Sequence, residues 1–246
     1  MGDYKFFDID GKTITKEKFI DFYNKCYFRD TAEKVPYVNK SSCFVEQEIE
    51  TILKSGIKSK KDVIKILAWK IGKIKHSESQ SKIMYAKDWE GAEKSFTVSR
   101  FRRPMELGGF AEYITENYDE LHNLSADRPQ QVLDKLKDKA PDGIGTVYLL
   151  TLLYFISEQK YPIYDRFACI AINAIRNGSN PVLSQNEKID VISMPDKKGN
   201  FKDVYEIYKK NYLTALQDIF KEKYNKRDVD RALWVYGHRF NKKGNC

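Results

Sequence analysis

The sequence predicts a mainly α fold: a two-lobed helical bundle with a central helix–hairpin–helix motif and a short N-terminal β-hairpin. Three observations carry this expectation. Apolar residues recur at three- and four-residue spacings along most of the chain. Glycine or proline follows several of these stretches, as at Gly56, Pro141 and Gly237. Residues 140–145 join two such stretches through a tight bend. With 246 residues, 41% of them hydrophobic and 32% charged, the chain is long and apolar enough to bury a sizeable core.

The elements follow in order. Asp8-Ile9-Asp10-Gly11 is a turn signal that closes a short hairpin, before a helix capped by Thr13 or Thr15. Phe19, Ile20, Phe22, Tyr23 and Tyr27 give residues 16–28 a helical spacing. Phe44, Val45, Ile49, Ile52 and Leu53 do the same for 42–54, and Gly56 stops that helix. Ser59 starts the next one, with Asp62 three residues on as a capping box. Its apolar face is Val63, Ile64, Ile66, Leu67, Trp69 and Ile71. Residues 76–104 are polar and read as irregular. Helical spacing resumes over 105–122 and from about Pro129 to Lys139. Residues 177–200 read as a long loop, with a short turn or strand pair at 189–193. An amphipathic helix follows over 201–224, and a last one starts at an Asp228 cap and ends at Gly237. The whole is expected to be one unit, with a lobe at 40–135 and a second at 136–246 on which residues 1–39 pack.

Composition narrows the chemistry. The net charge of +8 suits a polyanionic partner, and it equally suits a Lys-rich soluble surface. Sixteen tyrosines and fourteen phenylalanines belong at core edges or in a groove, since tyrosine joins apolar area to a hydroxyl. Cys26, Cys43, Cys169 and Cys246 never stand as CxxC, and three histidines complete the soft-ligand inventory. Zinc and iron–sulfur sites fail on that spacing, so no metal and no cofactor is expected. No apolar stretch follows Met1, and the run from Val147 to Ile156 is too short to span a bilayer. A cytoplasmic protein with free thiols and no membrane partner is the expectation.

The most informative stretch runs Ala140-Pro141-Asp142-Gly143-Ile144-Gly145-Thr146-Val147-Tyr148, then apolar residues to Ile156, then Tyr161-Pro162-Ile163-Tyr164-Asp165-Arg166-Phe167-Ala168. Proline ends the preceding helix, and Gly143 and Gly145 permit the dihedrals of a tight hairpin. A helix opening near Thr146 presents amides with partial positive charge, which suits a phosphate. Pro162 enforces an extended entry to Asp165, which is placed to cap the next helix. Amides that bond a cap carboxylate favour its charged form, and such a group beside a flipped nucleotide would stabilise a developing sugar cation and orient water. The same residues also read as a plain interhelical turn and an ordinary cap.

Gly143-Ile144-Gly145 and Asp165, in that order and spacing, resemble the helix–hairpin–helix DNA glycosylase superfamily, the endonuclease III and 8-oxoguanine glycosylase group. The resemblance implies that the hairpin grips the backbone of double-stranded DNA and that Asp165 assists excision of a base. Bifunctional members carry a nucleophilic lysine two residues after the second glycine and 18 before the aspartate; that position here is Val147, since 165 − 147 = 18. The departure implies a monofunctional enzyme with no Schiff base and no strand-nicking step.

Other residues complete the candidate interface. Gly143, Ile144, Gly145 and Thr146 would hold phosphate, with Arg166 beside Asp165. Lys70 and Lys73, in the basic segment 54–75, would extend a phosphate track, and Arg102 and Arg103 mix with Phe101 in a pattern suited to a strand contact. Tyr164, Val147 and Trp89 would line a pocket. Two other functions fit the same residues: a non-catalytic nucleic-acid binder, and a helical interaction or regulatory protein with no nucleic-acid role.

Overall fold

The computed structural model describes residues 4–31, 33, 41–72, 74–77, 82–85, 96–97, 104–105, 107–184, 189–195 and 201–240. It is mainly helical. The helices are α1 (Lys16–Cys26), α2 (Cys43–Ser55), α3 (Lys60–Lys70), α4 (Gly108–Glu116), α5 (Tyr118–Asp127), α6 (Pro129–Lys139), α7 (Thr146–Ile156), α8 (Arg166–Asn177), α9 (Val204–Tyr208), α10 (Thr214–Phe220) and α11 (Arg227–His238). A π-helical turn, Lys209–Leu213, separates α9 from α10. The strands form three antiparallel pairs: β1 (Phe6–Phe7) with β2 (Thr13–Ile14), β3 (Ile74–Ser77) with β4 (Lys82–Tyr85), and β5 (Phe96–Thr97) with β6 (Pro104–Met105). No helix among the described residues is long and apolar enough to cross a membrane.

The chain divides into two compact units. The first comprises residues 1–40, 162–193 and 206–246; the second comprises 41–161 and 194–205. The division therefore falls at Tyr161/Pro162, where the sequence suggested a lobe boundary near residue 135. The reason is packing: α7 lies against α3, α5 and α6, so the bend between α6 and α7 stays with the elements that precede it.

In the first unit, Asp8 closes the β1–β2 turn by accepting from the Asp10 and Lys12 amides at 2.9 and 2.8 Å. Of the two threonines, Thr15 caps α1, accepting from the Lys18 amide. The core is aromatic. Phe19, Tyr23 and Tyr236 meet with ring centroids 5.0 to 5.2 Å apart, and Phe6 joins Phe19 to Phe220. Helix α11 crosses α8 at Gly237, where a Cβ would lie 1.9 Å from the Phe167 carbonyl oxygen. Gly237 was expected to end the last helix. It lies inside it, because its lack of a side chain serves the crossing and not a turn. Asp228, expected as the cap, sits one residue into α11 and accepts from buried Arg231 at 3.3 Å.

In the second unit the expected signals at α3 and α2 are met. Ser59 and Asp62 form a reciprocal capping box, and Gly56 ends α2 at φ +75°. Helix α7 is apolar on nearly every side, and Leu149 to Ile156 are all buried, as a helix without a polar face must be. The stretch read as one helix over 105–122 is two, α4 and α5, meeting at Asn117. The stretch read as irregular contains strands: Ile74 pairs with Tyr85 and Ser77 with Lys82, and Phe96 with Met105. These strands are too short to show a period.

Gly237→Ala tests the crossing. Backbone cannot yield as a flexible side chain can, so we expect a loss of about 3 kcal/mol in urea denaturation, where an exposed helical glycine would gain from alanine.

Candidate nucleic-acid interface

The bend between α6 and α7 belongs to the second unit. Pro141 cannot continue α6, and the Ile144 amide donates to the Pro141 carbonyl at 3.2 Å, closing a turn with Gly143 at φ +99°. Ile144 is 1% exposed and anchors the turn in the core. Gly145 departs from expectation. Its φ of −88° is one any residue adopts, and it is the N-cap of α7. No side chain caps α7, as none caps α4, α5, α6 or α11, whereas Thr15, Ser42, Ser59 and Asp165 cap theirs. The Tyr148 and Leu149 amides donate to the Gly145 carbonyl at 3.0 and 3.3 Å and start the helix. Thr146 is fully buried and its hydroxyl donates to the Pro195 carbonyl, so its side chain is not presented to a phosphate as expected. Val147 is half-buried in the first turn of α7. On the other arm, Lys137 and Lys139 occupy the last turn of α6, their ammonium groups over the Phe201 and Tyr113 rings.

Asp165 belongs to the first unit. It is the N-cap of α8, extended at φ −139°, and its carboxylate accepts from the Phe167 amide at 2.9 Å. The approach to it is tightly held. Tyr208 donates to the Pro162 carbonyl at 2.7 Å and Tyr212 to the Ile163 carbonyl at 3.2 Å. Tyr164 is buried and its hydroxyl donates to the Ile192 carbonyl, so its ring is part of the interior and does not line a pocket as expected. Burial, followed by its contact with Cys169, raises the Tyr164 phenol well above its ordinary range, and burial raises the Cys169 thiol too. Both groups are neutral beneath the cap. Asp165 itself is half-buried and Arg166 is exposed.

Around this helix mouth lies a group that the sequence did not reveal. The Phe167 ring stacks on His238 with centroids 3.4 Å apart and planes at 25°, and Trp234 lies 3.9 Å from His238. All three rings are half-buried. The imidazole Nδ1 is 2.7 Å from the Trp234 carbonyl, a contact that favours a proton on Nδ1. The only signal in the sequence was the four-residue spacing of Trp234 and His238 on one helix.

The remaining candidates separate. Lys70 stands half-buried in the last turn of α3. Its helix is less free in charge than its sequence suggested, because Lys65 pairs with Glu48 at 2.7 Å and Lys60 pairs with Glu112. Lys73, Trp89, Arg102 and Arg103 lie outside the described residues. A polar cleft of about 380 Å³ in the second unit, lined by Ser55, Lys58, Glu116, Tyr118 and Asp119 among others, includes none of the expected residues. No group of three or more His, Cys, Asp or Glu among the described residues is placed to hold a metal. Comparison with protein-family models, curated proteins and solved structures found no match.

The cap has a measurable worth of its own. Asp165→Ala should lower stability by about 1 kcal/mol in denaturant titration, and Asp165→Asn by much less, since asparagine caps as well as aspartate. An equal loss in both would show that charge, and not capping, holds the carboxylate.

Proposed function

We propose that this protein binds nucleic acid, double-stranded DNA above all, through the bend at residues 140–148, and that it acts as a monofunctional glycosylase with Asp165 as its reacting carboxylate. The observation that carries the binding half is the bend itself, a turn closed from Ile144 to Pro141 that leads directly into the start of α7. Gly145 is the N-cap of α7, and Lys137 and Lys139 stand in the last turn of α6 on the opposite arm of the same bend. Backbone amides at a helix start and nearby ammonium groups are what a phosphate diester needs, and neither reads base sequence.

The catalytic half rests on Asp165. In the reaction, the bond from the sugar carbon to the base nitrogen breaks and its electron pair leaves with the base. The carboxylate stabilises the resulting sugar cation and takes a proton from the water whose oxygen adds to that carbon. Val147, at the position of the family's lysine, leaves water as the nucleophile. The same valine favours a second reading, a binder on this scaffold that releases no base.

Gly145→Asp separates binding from folding. An aspartate fits the extended backbone there and would cap α7, so stability should hold or rise by a few tenths of a kcal/mol. Its charge occupies the phosphate position, so affinity for a duplex at low salt should fall by more than about tenfold. Unchanged affinity would remove the hairpin from the interface. Release of a base from a panel of lesion-bearing duplexes decides between the enzyme and the binder.

A further inference from the structure

Three consecutive residues before Asp165 are each fixed by a buried phenol. Tyr208 holds the Pro162 carbonyl, Tyr212 holds the Ile163 carbonyl, and Tyr164 spends its own hydroxyl on Ile192. Tyr208 and Tyr212 are 0% and 1% exposed, with ring centroids 5.8 Å apart. They bracket the start of the π-helical turn, closed by the Thr214 amide and hydroxyl on the Lys209 carbonyl. Such turns are rare within helices and collect at functional sites, because the extra residue re-aims side chains at a cost in helix geometry. Here the side chains at the turn reach not a ligand but the backbone that delivers the carboxylate.

We infer that Tyr208 and Tyr212 are positioning residues: two donors on one distorted helix, gripping successive carbonyls, set where the Asp165 carboxylate stands. This rests on the reading of Asp165 as the reacting group. A carboxylate on a loop would drift by the ångström that costs orders of magnitude in rate, whereas one delivered by a clamped backbone does not. Neither phenol touches substrate in this account, so their loss changes turnover and leaves binding alone.

The test uses the full chain with Tyr208→Phe and Tyr212→Phe, which keep the rings and remove the donors. Tyr23→Phe is the control. It deletes another buried phenol-to-carbonyl bond of the same unit, onto Phe7 at 3.2 Å, remote in sequence from α8. In amide exchange followed by NMR, the Phe167 amide should exchange roughly fivefold faster relative to Ala171 in both clamp variants and at the parent rate in the control. In single-turnover base release, the rate should fall roughly tenfold with duplex Kd unchanged. Phe167 exchange that follows the control overturns the inference, as does a rate that does not fall or a fall accompanied by weaker binding. Faster exchange in variants of a parent that releases no base supports the clamp and overturns the excision reading, so the two fail separately.

Discussion

Phe167 is held from three directions, and the candidate chemistry of the first unit depends on that constraint. Its amide donates to the Asp165 carboxylate, its carbonyl rests where Gly237 has no side chain, and its ring lies on His238. The first contact orients the carboxylate, the second fixes how closely α8 and α11 cross, and the third stacks half-buried rings next to the helix start. One residue thus couples the packing of the core to the position of a charged group. A methyl at residue 237 would push Phe167 away and disturb all three together, which outweighs the helix-propensity cost of a glycine, about 1 kcal/mol.

The abundance of tyrosine has a related explanation. The sequence suggested rings at core edges or in a groove. Tyr23, Tyr27, Tyr154, Tyr208, Tyr212 and Tyr236 are instead among the largest fully buried side chains, and four of them send the hydroxyl to a backbone carbonyl, on Phe7, Pro162, Ile163 and Ser179. Pro162 and Ile163 lie in an irregular segment whose carbonyls have no ladder partner, and burial without a donor would cost each a few kcal/mol. Phenols satisfy them while filling space. This lets the segment ahead of Asp165 run through the interior as loop instead of helix or strand.

Local signals were legible, and distant ones were not. Ser59 with Asp62, Gly56, Thr15 and Asp165 each announce a cap or a stop through side-chain chemistry acting within four residues, and the structure uses each as read. Gly237 misled because a glycine after a helical stretch looks the same whether it ends the helix or admits a backbone from elsewhere. Gly145 misled in the opposite sense, since its backbone takes a dihedral open to any residue. The π-helical turn leaves no periodic trace in five residues, and the ring cluster of Phe167, Trp234 and His238 joins positions some seventy residues apart. Of the candidate site, the bend at Pro141–Ile144 and the Asp165 cap were readable from sequence. The tyrosines that hold the aspartate and the rings around it were not, because only the fold brings them together.

The central claim is that the Asp165 carboxylate meets a sugar carrying positive charge. Two duplexes identical but for one abasic analogue test it, one bearing a cationic pyrrolidine and the other a neutral tetrahydrofuran at the same position. The account predicts that the parent binds the cationic analogue at least about tenfold more tightly, as transition-state mimicry requires, and that Asp165→Asn, a cap of equal quality, erases the preference while still binding the neutral duplex. The same preference in parent and variant would contradict it.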